Sequence, residues 1–81
     1  MKVRVLYFSL LRDISGCDEE SVALDGPPDV AQLIENMYAS YPGLREWDKS
    51  LLVAVNGEYA DRETSLSEGD EVALMPPVQG G

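Results

Sequence analysis

The sequence predicts an α+β fold in which one main helix is laid across a mixed sheet of four or five strands. Three observations predict it. Only the stretch between Asp29 and Pro42 repeats apolar residues at helical spacing; the other apolar runs are short, β-branched or alternating; and the elements follow in the order ββαβββ. An 81-residue chain holds a single core, since a domain of this size buries only roughly 60–65% of its unfolded surface. The chain is read as one domain over residues 1–75 followed by an extended, flexible tail over 76–81.

Val3, Val5 and Tyr7 alternate with Arg4, Leu6 and Phe8, so residues 2–8 form a strand with at least one buried face. Gly16 and the acidic Asp18-Glu19-Glu20 interrupt the pattern before Val22 and Leu24 resume it, and residues 20–24 are expected to return antiparallel. Leu10, Leu11 and Ile14 pack inside this connection. Val30, Leu33, Ile34, Met37, Tyr38 and Tyr41 then share one helical face, with Asp29 as the N-cap, Gln32 at the reciprocal capping position and Tyr41-Pro42-Gly43 as the stop. Beyond a polar stretch holding Trp47, the run Leu51–Val55 is apolar on both faces and reads as a central strand. Asn56-Gly57 suits a type I′ hairpin turn leading into a short strand at Tyr59. Glu68-Gly69-Asp70 is a solvated turn, and Glu71–Met75 is the last strand, stopped by Pro76-Pro77. This order fits the ubiquitin-like β-grasp, in which the first and last strands pair in parallel at the sheet centre; Val3, Val5, Val72 and Leu74 are therefore expected to be buried.

Composition excludes several functions. The chain has no histidine and one cysteine, so the common zinc, haem and iron sites lack ligands, no internal disulfide forms, and no imidazole is present to activate a serine or cysteine nucleophile. No metal site is expected. A net charge of -9 repels phosphate backbones and anionic lipid, which disfavours nucleic acid and membrane and favours a partner with a basic face. The apolar stretch Val5–Leu11 is far short of a membrane span and lacks a cleavage site after it, so a cytoplasmic protein is expected. Cys17, in an acidic turn beside Asp18, is disfavoured as a thiolate and is expected to be dispensable.

The segment Pro76-Pro77-Val78-Gln79-Gly80-Gly81 is the candidate for chemistry, with an ordinary loose, glycine-containing terminus as the competing reading. From Val72 onward ten residues carry no charge. Two prolines favour a stiff polyproline II path, and six extended residues reach about 20 Å, enough for the tip to enter another protein's pocket. Glycines remove bulk around an α-carboxylate, and an activated glycyl carbonyl has no stereocentre to epimerise.

Val5-Leu6-Tyr7-Phe8 with Leu11-Arg12, Tyr41-Pro42, Ala54-Val55-Asn56-Gly57 and above all Gly69-Asp70-Glu71-Val72-Ala73 running into Pro76-Pro77-Val78-Gln79-Gly80-Gly81 are similar to one family. Over nearly its whole length the chain resembles the MoaD-type small subunit of molybdopterin synthase, within the ubiquitin-like sulfur carriers that include ThiS. Met75, where an aromatic is common, and Gln79, where a small residue is usual, depart from the family pattern. The resemblance implies that Gly81, behind Gly80, is adenylated by an ATP-using, ubiquitin-activating-like MoeB-type enzyme. It is then converted to a thiocarboxylate with sulfur from a sulfurtransferase or cysteine desulfurase. The tail then enters a MoaE-type large catalytic subunit, in a heterotetramer, and gives sulfur to a cyclic pyranopterin precursor to build the molybdopterin dithiolene. The chain binds no cofactor and is not a catalyst alone. Arg12 resembles a family basic position near the partner surface, and an ordinary surface arginine is the competing reading. Tyr59 and Met75 are read either as a partner-facing apolar patch or as core. Carriers for thiamin synthesis or tRNA thiolation and ubiquitin-like modifiers share Gly-Gly, and a non-covalent β-grasp adaptor is the alternative from another class.

Overall fold

The computed structural model describes residues 1–77. Strands β1 (Lys2–Tyr7), β2 (Glu19–Ala23), β3 (Leu52–Val55), β4 (Glu58–Tyr59) and β5 (Glu71–Met75) form one sheet in the order β2-β1-β5-β3-β4. β5 lies at the centre, parallel to β1 with Val5 opposite Val72 and Tyr7 opposite Leu74, and antiparallel to β3. β1 and β2 are antiparallel, as are β3 and β4. The expected mixed β-grasp sheet is present, and Val3, Val5, Val72 and Leu74 are buried.

Helix α2 (Val30–Ser40) buries Val30, Leu33, Ile34, Met37 and Tyr38 against one face of the sheet. Its first turn is held by the N-cap side chain and by the loop before β5. Asp29 Oδ1 accepts the Gln32 N–H at 2.9 Å, Leu33 N–H reaches the Asp29 carbonyl, and the Val30 and Ala31 N–H groups donate to the Thr64 and Arg62 carbonyls. The Val30, Ala31 and Gln32 N–H groups, which have no carbonyl within the helix to reach, are thereby satisfied, and Leu33 begins the regular helical ladder. The Gln32 side chain does not complete a capping box: its Nε2 donates to the Asp25 carbonyl at 3.2 Å instead. Tyr41 leaves the helix with φ −133° and ψ 82°, the extended region that a following proline imposes.

Two elements were not expected. Leu10–Ser15 form a short helix, α1, closed by Gly16 in the left-handed region with its N–H on the Arg12 carbonyl. Leu11 is fully buried there, while Leu10 and Ile14 pack half-buried on the core. Pro42–Trp47 coil into a 3₁₀ helix that buries Leu44. Six residues of helix are too few to display a period, so both read as connection. β1 stops at Tyr7, one residue before the expected end, and β2 runs over Glu19–Ala23, one residue earlier than expected. Among the described residues no helix is long and apolar enough to cross a membrane.

Candidate functional site

Among the described residues no helix covers the second face of the sheet, which alternation along the central strands lines with its own side chains. Val53, Val72 and Leu74 point into the core, so their neighbours point the other way. The register pairs Leu6 with Ala73, Ala73 with Ala54, Ala54 with Tyr59 and Leu52 with Met75. These residues lie on one apolar face, bounded at one end by Arg4, which pairs with Glu71 at 2.7 Å. Phe8, 44% exposed, and Tyr59, 76% exposed, are the large apolar side chains most open to solvent there.

At the end of this face where β5 gives way to Pro76 and Pro77, a groove of about 660 Å³ is lined by Phe8, Ser9, Leu10, Arg12, Met75, Pro76 and Pro77. Arg12, Met75, Pro76 and Pro77, four of the expected site residues, therefore come together. Tyr59 does not line the groove. It stands on the edge strand β4, sharing the open face with Met75, and its exposure excludes a core role. Arg12 keeps its guanidinium in solvent, 3.4 Å from an exposed Asp18 carboxylate, a contact worth little energy and free to be exchanged. Val78, Gln79, Gly80 and Gly81 lie outside the described residues.

Backbone strain marks the same groove. Ser9 has φ 53° and ψ −131°, the first central position of a type II′ turn, and the Leu11 N–H closes that turn on the Phe8 carbonyl at 3.1 Å. Glycine is the residue that adopts this conformation freely. The turn directs Phe8 and Leu10 into the groove walls beside Met75. Sequence reasoning missed Leu6, Phe8 and Leu52 as face residues, although Leu6 and Phe8, alternating with the buried Val5 and Tyr7, make β1 apolar on both sides.

Cys17 is half-buried, with Sγ 3.4 Å from Glu20 Oε2. Burial foremost, and the Glu20 carboxylate with it, push the thiol up. The expected disfavour of thiolate is thus present, but Glu20 and burial cause it, whereas Asp18 faces Arg12. The same Glu20 oxygen accepts the Tyr41 hydroxyl at 2.6 Å and the Tyr7 hydroxyl at 3.1 Å; it is a structural tie between β2, β1 and the end of α2. The Glu68–Glu71 turn is also committed internally. Asp70 accepts from the Ser67 N–H and the Asn56 side chain, and Glu68 from the Lys2 N–H.

Comparison with known proteins assigns this arrangement. Residues 5–81 match the ThiS family. The chain belongs to the ThiS family. The molybdopterin synthase sulfur carrier subunit of Mycobacterium tuberculosis is 40% identical over 84 aligned residues, covering 100% of this chain and 99% of that one. SAMP1 of Haloferax volcanii, small archaeal modifier protein 1, superposes with a TM-score of 0.86 at 29% identity, covering 100% of both chains. A third structure, a complex of subunits 1 and 2 of the molybdopterin-converting factor from Helicobacter pylori, contains a chain matching with a TM-score of 0.73 at 28% identity and 100% coverage of both. As in the rest of the ThiS family match, similarity runs through the Pro76-Pro77 segment to residue 81.

Proposed function

We propose that this protein is the sulfur carrier subunit of a molybdopterin synthase, working in the cytoplasm and supplying sulfur without catalysing its transfer. The single observation that carries the reading is the match to a sulfur carrier subunit of that enzyme, 40% identical over 100% of this chain and 99% of that one. The chemistry of the chain agrees with it. Without histidine the protein has no imidazole to serve as acid or base near neutral pH, and in this reading those groups come from a MoaE-type large subunit.

In this reading the Gly81 carboxylate attacks the α-phosphate of ATP on a MoeB-type enzyme and pyrophosphate leaves. The terminal sulfur of a persulfide on a sulfurtransferase or cysteine desulfurase attacks the acyl carbon and AMP leaves; a thiol reductant then cleaves the S–S bond of the acyl disulfide, leaving a thiocarboxylate. Gly80 and Gly81 put little bulk beside that group, Val78 and Gln79 serve as partner-binding residues, and the rings of Pro76 and Pro77 favour an extended approach. The open face of Leu6, Phe8, Leu52, Tyr59 and Met75 docks on the large subunit, with Arg12 at its rim. The sulfur is delivered to the cyclic pyranopterin precursor, and two transfers complete the dithiolene. A large apolar sheet face beside the tail suits such a partner, since contiguous exposed apolar surface marks interaction sites.

The test is to incubate the chain with ATP, the activating enzyme and a sulfide source, then measure intact mass. The expected result is a gain equal to exchange of one oxygen for sulfur, mapped to the C-terminal peptide. An unchanged mass, with a control carrier modified in the same mixture, overturns the reading. The second reading, a modifier joined to lysines, is favoured by the similarity to small archaeal modifier protein 1; it predicts an isopeptide bond from Gly81 to a lysine of another protein. A non-covalent adaptor would retain its function after deletion of Gly80 and Gly81.

A further inference from the structure

Asn56 and Gly57 occupy the two central positions of the β3–β4 turn, with φ of 51° and 87°, and both are exposed. In an Asn-Gly pair the glycine nitrogen is the backbone nitrogen least hindered from reaching the asparagine side-chain carbon. Here that side chain is held at both ends. Its Nδ2 donates to Asp70 Oδ1 at 3.0 Å, and its Oδ1 accepts the Glu71 N–H at 3.0 Å. The Asn56 backbone N–H also donates to the Glu71 carbonyl at 2.8 Å. Bulk does not shield the site, because a Cβ built on Gly57 would meet nothing within 4 Å. The hydrogen bonds are what hold the amide in place.

We infer that Asn56 is a deamidation site that the folded turn keeps unreacted, and that its conversion to a carboxylate releases the β3–β4 hairpin from the start of β5. The Gly57 nitrogen bonds to Asn56 Cγ as the Cγ–Nδ2 bond breaks, and the nitrogen leaves as ammonia carrying the displaced proton. The cyclic succinimide then takes up one water. Opening one of its two C–N bonds yields aspartate and opening the other yields isoaspartate, with no redox partner required. Aspartate replaces a donor with an acceptor facing the Asp70 carboxylate, and two anions at that separation repel. Isoaspartate lengthens the backbone of a two-residue turn whose dihedral angles are tightly specified. β5 runs from Glu71 directly into Pro76 and Pro77, so the latch sits at the head of the strand that carries the tail.

The full chain is incubated at mildly alkaline pH, folded or in urea, and deamidation is followed by the mass of the peptide containing Asn56. The folded chain is expected to react roughly thirtyfold more slowly, which at 1.4 kcal/mol per tenfold is about 2 kcal/mol, about one for each side-chain hydrogen bond. Asp70→Ala, which frees Nδ2, is expected to accelerate the folded-state reaction several-fold beyond Leu33→Ala, which loosens the core under α2. Equal rates folded and in urea, or equal rates in these two variants, overturn the protection. Asn56→Asp is expected to unfold at a lower temperature than the parent, and an unchanged midpoint overturns the release. Where that variant does not accumulate, the deamidated fraction of aged protein, separated by its added charge, is melted instead and read in the same way.

Discussion

The Tyr38 hydroxyl donates to the Asp48 carboxylate, joining α2 to the residue that follows the 3₁₀ helix. Arg62 completes the tie from the long connection before β5, with Nη1 on Asp48 Oδ1 at 3.0 Å and Nη2 on the Asp48 carbonyl at 2.7 Å. Arg45 lies over the Tyr38 ring, 4.8 Å from its centre. Two segments outside the sheet, the 3₁₀ stretch with Arg45 and Asp48 and the connection holding Arg62, are thereby held against the helix.

This tie makes stability depend on acid. The Tyr38 hydrogen bond first, then Arg62, hold the Asp48 carboxyl below its ordinary 3.8. A depressed folded value means the carboxylate stabilises the fold fully above the unfolded pKa, and that contribution is lost as pH falls through the lower, folded one. Asp48→Asn is expected to lower the melting temperature at neutral pH, with the gap to the parent closing below about pH 4. A gap that stays constant from neutral to acid pH contradicts the assignment.

Relief of strain at Ser9 is expected to stabilise the protein. A non-glycine residue in such a conformation costs on the order of 1–3 kcal/mol. Ser9→Gly gives part of this back as extra freedom of the unfolded chain. A net gain of about 1 kcal/mol would raise the melting temperature of so small a domain by roughly 4–8 °C. Thermal unfolding followed by circular dichroism checks it.

Loss of the helix cap should act in the opposite direction. Asp29→Ala removes the acceptor of the Gln32 N–H and is expected to cost about 1 kcal/mol, read as a lower urea midpoint at unchanged slope. Asp29→Ser should restore most of it.

Truncating the open face should weaken partner binding without weakening the fold. Phe8→Ala with Met75→Ala removes two apolar side chains that contribute little to the core, and is expected to reduce affinity for the large subunit by about tenfold or more. Calorimetric titration measures the affinity, and the melting temperature of the isolated chain should stay near that of the parent. Full-strength binding by the double variant would remove this face from the interface.

The order of strands and helix could be read along the chain because each long element carries its own period: Val3, Val5 and Tyr7 at two, Val30 to Tyr38 at the helical spacing, Asn56-Gly57 as a hairpin turn. The Pro-Pro and Gly-Gly signals of the tail are equally local, needing no neighbour to be recognised. Helix α1 and the 3₁₀ segment were illegible because six residues show no clear period, and their apolar residues, Leu11 and Leu44, are helical only where the core receives them. The groove could not be seen either, for it depends on β1 and β5 pairing in parallel, which sets Phe8 and Arg12 beside Met75 and Pro76 from opposite ends of the chain. The same holds for Glu20, which collects Tyr7, Tyr41 and Cys17, and for Asp48 with Tyr38 and Arg62. Local periodicity needs only neighbours in sequence, whereas a shared carboxylate or a groove wall requires residues brought together by burial, and no single segment records its future partners.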